Sequence, residues 1–590
     1  MTDAIPQLVI GKPLRQLQSS LMNQLPERDA GFLVLALMAL YRARDGALPP
    51  ASDVTHAMRA AFSENACEAA FEAASELCRQ VGEITLSRLL TSLNELLGNS
   101  HSLWMGVESL WSSLSDRTES SGFDLPEEVT DLIMELLPLE VGSSIYLPWD
   151  ETGQFLQKAG PFRLLPSAEI LNASNLAFMQ LIGYVYNGED GTARVRTADP
   201  IRHPSYVRDG RPEQFDACIA TPPFGFQAST AGSEYDLHGR FNIPSSHYHT
   251  LAIQHVLWQT QGPAAVLVSH SVLFSAGADR QLREHLLRNG LLKAVIGLPA
   301  GLLAKTQIPL AILLLNNARG KTSDQVLFIN ADHPDFVEET SLQRRSLVNT
   351  NVFASIVDGT AHHRAARRIP TIELLEGDCN LVPSRHVLSE QASRAEELLE
   401  QMPTTPLEAL GDIVRPAPAK DKEGVAKIAA LEIVVADLTE AGYIEAPSKT
   451  ISISEHEEAR ISVRPGDVLL SIKGTNRKVG LVPLAAHSEI SWVIGQSLCV
   501  IRCSSPRLSP KVLTVFLRSP LGQQLLDRIT TGSTIPFIQI KELRTLAVPV
   551  PDVVEQKRIE ALFDQQVSLR EEIKEIEATI AELTPEKWNL

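Results

Sequence analysis

Asp216-Ala-Cys-Ile-Ala-Thr221-Pro222-Pro223-Phe224-Gly225 is an apolar run that stops at two prolines and an aromatic ring. Proline fixes φ and has no N–H to give a ladder, so a buried strand stopping here leaves carbonyls at its carboxyl end without a sheet partner. Those carbonyls can accept hydrogen bonds from an amine. With Phe224 beside them as a stacking face, the segment has the parts to hold a flat heterocycle by its exocyclic NH2, as enzymes acting on a flipped base must.

From about residue 120, short apolar segments alternate with helical stretches on both sides of this run, the pattern of a doubly wound parallel sheet. The clearest strands are 264–269, 293–298, 310–315 and 325–330. Upstream, residues 1–115 predict helices, because Leu14, Leu17, Leu21 and Leu25 recur at helical spacing, and so do Leu89, Leu90, Leu93, Leu96 and Leu97. Downstream, a polar helical stretch over 386–405 reads as a linker that ends at Pro403. Residues 406–552 predict mixed short strands and helices, with turns at Arg464-Pro-Gly-Asp467 and Lys473-Gly-Thr-Asn476. Over 553–590 a last helix carries Ile559, Leu562, Gln566, Leu569, Ile573, Ile576, Ile580 and Leu583 at steps of three and four. Such a seam suits a coiled-coil partner; packing against its own domain is the plainer alternative.

A chain of 590 residues is too long for one core and predicts several domains. Its six cysteines form no Cys-x-x-Cys pair, which argues against a disulfide framework or zinc ribbon and for a reduced, cytoplasmic setting without a metal centre. The first residues lack a basic signal region, and the apolar run 32–41 is too short to span a bilayer, so no membrane role is expected. The net charge of -18 looks unfavourable for a nucleic-acid binder. Charge is local, however: from Arg464 to Arg544 the chain holds eleven basic residues against four acidic ones, enough for a basic face or for an ordinary solvated surface.

Residues 120–385 resemble the methylating M subunit of type I restriction-modification systems, an adenine-N6 DNA methyltransferase family. The resemblance rests on Gly122-Phe-Asp-Leu-Pro-Glu-Glu-Val129, Ile145-Tyr-Leu-Pro-Trp-Asp-Glu-Thr-Gly-Gln-Phe-Leu156, Thr221-Pro-Pro-Phe-Gly225, Val295-Ile-Gly-Leu-Pro299 and the Gly301–Thr306 loop. Residues 406–590 resemble half of a specificity S subunit, through Gly466-Asp-Val-Leu-Leu470 and Pro549-Val-Pro-Asp-Val-Val-Glu-Gln556 leading into a helical spacer. The resemblance implies an α/β protein: a helical N-terminal domain (1–115), a Rossmann-like S-adenosylmethionine methyltransferase domain (116–385), a linker helix (386–405), an α/β target-recognition domain (406–552) and a C-terminal coiled-coil helix (553–590).

The same resemblance implies site residues. S-adenosylmethionine would lie on the loop carrying Thr152 and Gly153, with Glu169 on its ribose hydroxyls and Asp199 near its adenine. Thr221, Pro222, Pro223 and Phe224 would present adenine N6 for direct methyl transfer, with no metal. Lys473, Arg477, Lys478, Arg502 and Arg507 would contact double-stranded DNA. One recognition domain per chain implies a homodimer through the 559–583 helix on a bipartite target, together with nuclease, translocase or other defence subunits.

The sequence departs from the family at two places. Its cofactor loop runs roughly Asp-Pro-x-Cys-Gly-x-Gly-Gly-Phe-Leu; here Leu147 replaces the acid, and Glu151 and Gln154 replace two glycines. The family's Asn before Pro-Pro is Thr221, whose shorter hydroxyl can bond the local backbone instead. Two readings follow: an active fused methyltransferase, or a catalytically inactive DNA-recognition or scaffold subunit of a restriction-modification or phage-defence complex. A complete restriction enzyme is disfavoured, because Gly320-Lys321-Thr322 has Leu315 where a Walker A loop needs its first glycine.

Overall fold

A computed structural model describes residues 7–44, 46–63, 67–98, 125–187, 193–225, 236–303, 308–318, 320, 323–341, 344–387, 398–399, 401–416, 427–439, 442–474, 477–483, 490–531 and 537–583. They divide into two compact units, Met1–Val387 and Leu388–Leu590.

In chain order the strands of the first unit are β1 (Ser144–Pro148), β2 (Leu165–Ile170), β3 (Arg194–Thr197), β4 (Val207–Arg208), β5 (Arg211–Pro212), β6 (Ala217–Ala220), β7 (Pro263–Ser269), β8 (Leu292–Gly297), β9 (Leu310–Asn316), β10 (Gln325–Asn330), β11 (Val337–Ser341), β12 (Arg344–Leu347) and β13 (Ala366–Pro370). Two small hairpins, β4-β5 and β11-β12, stand apart from a nine-stranded sheet ordered β13-β10-β8-β9-β7-β6-β1-β2-β3. The four strands expected from sequence are present to within a residue or so. The sheet is not wholly parallel as expected: β9 runs antiparallel to both β7 and β8, and the edge strand β13 runs antiparallel to β10. Pro299, Gly301 and Pro309 between β8 and β9 leave no run for a crossover helix, and an antiparallel neighbour needs none.

The apolar run 32–41 lies in the helix Glu27–Ala43 and is buried throughout. Its side chains belong to one hydrophobic cluster that extends from Leu14 to Val387, so the N-terminal helices and the sheet share a core. Each leucine or valine fully buried there contributes roughly 1.5–3 kcal/mol. The expected boundaries at 115/116 and 385/386 flank or fall within 99–124 and 388–397, which lie outside the described residues. Lys321, Thr322 and most of the 389–401 stretch lie outside them too. Among the described residues, no helix is long and apolar enough to cross a membrane.

The second unit holds a four-stranded sheet in the order Gly411–Val414, Leu498–Cys503, Val468–Ser471, Val479–Leu481, and a three-stranded sheet in the order Lys449–Ser454, Lys427–Ile433, Trp492–Ile494. Thr404–Pro406 pairs antiparallel with Ala547–Pro549, which brings together the two ends of the segment preceding the last helix. That helix, Val553–Leu583, divides its apolar residues between two faces. Phe563, Ile559 and Val567 pack into the unit's own core, whereas Leu562, Leu569, Ile573 and Ile576 are 45–58% exposed. The expected single seam is therefore split, and the side chains of Ile580 and Leu583 lie outside the described residues.

Candidate functional site at the carboxyl edge of the sheet

Parallel pairing of β6, β1, β2 and β3 brings their carboxyl ends to one edge, where open α/β sheets bind ligands. Pro148 stands opposite Glu169 in this register. The Pro-Pro turn follows β6 there, so the strand ends just before the two prolines.

The loop after β1 is closed rather than cradle-shaped. Trp149 adopts a left-handed φ of 64°, which costs a residue with a side chain roughly 1–2 kcal/mol. Its position over-determines it: the backbone N–H donates to the Glu169 carbonyl (2.8 Å), the indole Nε1 donates to Tyr248 Oη (3.0 Å), and the carbonyl accepts from Thr221 Oγ1 (3.0 Å). Asp150 is buried and accepts from the Leu156 N–H (2.8 Å); burial pushes its carboxyl up to about 7. Glu151 reaches across to the loop after β2, where its carboxylate takes the backbone N–H groups of Leu171 and Asn172. Burial raises this carboxyl as well. Gln154 makes a reciprocal pair with the backbone of Leu125, donating at 2.7 Å and accepting at 3.1 Å, which fastens the 125 segment to the loop. Thr152 is half-buried and donates to Gln154 Oε1 (3.3 Å), and Gly153 turns the chain at φ 73° into the short helix Gln154–Ala159.

Glu169, expected to face a ribose, faces inward. Its carboxylate is fully buried, accepts from Tyr146 Oη on one oxygen and from the Ser205 N–H (2.6 Å) on the other. Tyr146 Oη also lies 2.9 Å from His255 Nε2, and His255 Nδ1 lies 3.0 Å from Arg240 Nη1. An arginine can only donate, so the His255 proton sits on Nε2 and points to Tyr146, whose own proton points to Glu169. Burial, reinforced by Arg240, holds His255 well below its ordinary range and keeps it neutral, and burial raises Glu169. Asp199 is half-buried and caps its own loop, accepting from the N–H groups of Ile201 (2.9 Å) and Arg202 (3.3 Å).

The space left is small. A cavity of about 20 Å³ remains between Trp149, Glu151, Gln154, Thr221, Pro223 and Phe224, room for about one water molecule. Cofactor pockets occupy roughly 300–1,000 Å³. A larger cavity of about 320 Å³ lies against Phe32, Leu77, Asn175 and Phe178; of the expected site residues its walls include Thr152 but none of Gly153, Glu169, Asp199 or Thr221. Leu147 is buried in the core and offers no acceptor. The residues at this edge therefore do not fit S-adenosylmethionine. Pro222 and Pro223 are buried; Phe224 is half-buried and stacks on His249, with ring centroids 5.4 Å apart and planes 25° apart.

In the second unit the five expected DNA-contacting cations separate. Arg477 is buried, donates to Thr530 Oγ1 (3.2 and 3.0 Å) and bonds the Gly474 carbonyl. Arg502 makes a two-pronged contact with Asp467, which is 2% exposed, at 2.9 and 2.8 Å. Both guanidinium groups hold the unit together, which revises the expectation for them. Lys473, Lys478 and Arg507 are exposed. Sequence reasoning missed Tyr146, Arg240 and His255 altogether; the one available signal was Trp149, a bulky residue where a strand leads into a loop expected to be open.

Residues 108–395 match the family model described as N-6 DNA Methylase. This part of the chain is similar to that family, over just under half of its length. The chain is similar to curated type I proteins: it is 25% identical over 194 residues to the type I restriction enzyme MpnII methylase subunit of Mycoplasma pneumoniae, covering 31% of this chain and 35% of that one. It is also 25% identical over 167 residues to the EcoBI specificity subunit of Escherichia coli, covering 28% of this chain and 34% of that one. The chain thus spans about a third of the length of these relatives. Among solved structures, the methyltransferase subunit of a type I restriction-modification system from Streptococcus thermophilus shares the fold, with a TM-score of 0.53, 16% identity, and coverage of 65% of this chain and all of that one.

Proposed function

We propose that this protein recognises double-stranded DNA as a non-methylating member of the N-6 DNA methylase family, and serves a restriction-modification or phage-defence assembly in which other subunits act on the DNA. One observation carries the reading: the cofactor seat is filled from within, Glu169 by Tyr146 and Ser205, and the backbone N–H groups after β2 by Glu151. A carboxylate that is fully buried, with each oxygen already bonded in the core, presents no open face to a vicinal diol. The methylase unit keeps the sheet edge and the Pro-Pro-Phe turn. The second unit, read as S-like, supplies base readout, with Lys473, Lys478 and Arg507 on phosphates. The exposed face of Leu562, Leu569, Ile573 and Ile576 supports pairing of two chains, which would join two recognition units on a two-part target.

Calorimetry of the purified protein with S-adenosylmethionine tests this, with and without duplex DNA. We expect no saturable heat in either case, and retention of duplex binding in a mobility-shift assay.

The active reading is favoured by Pro222, Pro223 and Phe224 standing at the end of β6, where an adenine N6 would be held by the Pro222 carbonyl against Phe224. In that reading the same calorimetry gives a saturable heat, and incubation with DNA protects adenines from a methylation-sensitive nuclease.

A further inference from the structure

β4 and β5 form a hairpin whose two-residue turn, Asp209-Gly210, holds both residues at left-handed φ, 53° and 75°. Asp-Gly is a sequence that such a turn favours, and the tight turn fixes the register, so that Arg208 stands directly opposite Arg211. Residues opposite each other share a face, with Cβ atoms about 4.5–5.5 Å apart, and like charges placed there repel. Both arginines are exposed, and neither has an ion pair or side-chain hydrogen bond among the described residues. Strand alternation puts Tyr206 and Glu213, joined by the bond from the Glu213 N–H to the Tyr206 carbonyl, on the same face one step back from the tip. There Arg194 and Arg196, from the edge strand β3, lie over the Tyr206 ring, their guanidinium carbons 5.1 and 4.8 Å from its centroid. Arg194 pairs with Glu213 at 2.6 Å, and Arg196 donates to the Ser205 carbonyl at 2.7 Å. Four arginines therefore share one face, and among the described residues Glu213 is the one carboxylate ion-paired with any of them.

We infer that this arginine face is a surface of the methylase unit that grips the phosphate backbone of duplex DNA; the inference rests on the DNA-recognition reading and adds a contact beyond the cations of the second unit. In a chain of net charge -18, residues 194–213 hold five arginines against three carboxylates, Asp199, Asp209 and Glu213, so the sign reverses locally. Keeping an edge strand from pairing with another chain accounts for cations on β3. It does not account for Arg208 and Arg211, whose hairpin stands apart from that sheet and which repel each other until an anion lies against both. A phosphodiester backbone meets this need. Guanidinium forks match phosphate oxygens two at a time, and successive phosphates of one strand advance about 3.4 Å along the duplex axis, within reach of two long side chains. Such a contact reads no sequence, because every duplex presents the same phosphates. β3 is four residues long, about 13 Å, so Arg194 and Arg196 lie within that distance of its carboxyl end, well under one duplex turn of about 34 Å.

The test uses the full-length protein and fluorescent duplexes of unrelated sequence, titrated over a range of salt concentrations. Arg208→Gln combined with Arg211→Gln should weaken binding about 10-fold on every duplex and shallow the dependence of log K on log salt by about 1.8, the share of two phosphate contacts. Arg208→Lys combined with Arg211→Lys keeps both charges and should keep the salt slope. The urea midpoint of the first variant should hold or rise, because the repulsion across the turn is gone, and this separates loss of contact from loss of fold. Unchanged affinity and salt slope in that variant would overturn the contact while leaving DNA recognition intact, and is the result expected if the face meets an acidic protein instead. Failure of wild type to bind any duplex would overturn DNA recognition itself, and this contact with it.

Discussion

The Thr221 hydroxyl donates to the Trp149 carbonyl, 3.0 Å away, and so ties the end of β6 to the loop after β1. The hydroxyl's single proton is spent on backbone, and the oxygen's remaining lone pairs are set by that bond rather than aimed as an amide carbonyl would be. Restoring the family's residue by Thr221→Asn is therefore expected to give no methylated product, because the cofactor seat remains filled; liquid chromatography of digested DNA for N6-methyladenine checks it. Thr221→Val should lower unfolding free energy by about 1 kcal/mol, read from urea midpoints.

Tyr146→Phe removes one of the two donors to the buried Glu169 carboxylate and keeps the ring that stacks on Phe215 at 5.0 Å. An unsatisfied buried acceptor costs about 1–3 kcal/mol, so the variant should fold and unfold at lower denaturant. Recovery of stability on mild acidification, as Glu169 takes a proton, is the accompanying sign.

Asp150 sets a pH dependence. Its folded carboxyl titrates at about 7, above its ordinary value of 3.8, so folding takes up a proton between those limits. The stabilisation is complete below the ordinary value and is lost as pH rises toward about 7, at up to roughly 1.4 kcal/mol per pH unit. Glu151 and Glu169 are shifted in the same direction. Asp150→Asn, which keeps an acceptor for the Leu156 N–H, should flatten the curve and be more stable than wild type at pH 8 in chemical denaturation.

Arg502 and Lys478 should behave oppositely. Arg502→Ala leaves Asp467 buried without its partner and should destabilise the second unit by about 3 kcal/mol. Lys478→Ala, at an exposed position, should leave the unfolding curve in place and weaken duplex binding with a shallower salt dependence.

Leu569→Lys places a charge at the centre of the exposed face of the last helix, where Leu569 is 50% exposed. Folding should be unaffected. If two chains pair through this face, the mass in sedimentation velocity falls from two chains to one; a wild-type protein already running as a single chain removes the pairing proposal.

The sheet edge was legible because its signal is local: an apolar run ending at Pro222-Pro223 is a strand end wherever it is placed, and β7 through β10 are buried runs bounded by turns. The reversal of β9 was not, since an antiparallel and a parallel neighbour bury the same residues. The departure of the loop after β1 from the family pattern was visible at Glu151 and Gln154, as side chains where glycines were expected. What they do instead, bonding Leu171, Asn172 and Leu125, depends on partners 20 to 29 residues away and is not written in the loop. Arg477 and Arg502 show the same limit. A guanidinium that grips a phosphate and one that grips Asp467 are the same letter in the sequence, and only burial tells them apart.

The bond from the Glu151 carboxylate to the chain after β2 has a physiological side. In the non-methylating reading proposed above, a seat closed by the protein's own side chain leaves no vacancy for a metabolite, so residence on DNA would not follow the cell's methyl-donor supply, nor would the by-product of methylation inhibit it. On that reading starvation and growth would look alike to this protein, and its control would pass to its own abundance and to any partners it meets on the duplex.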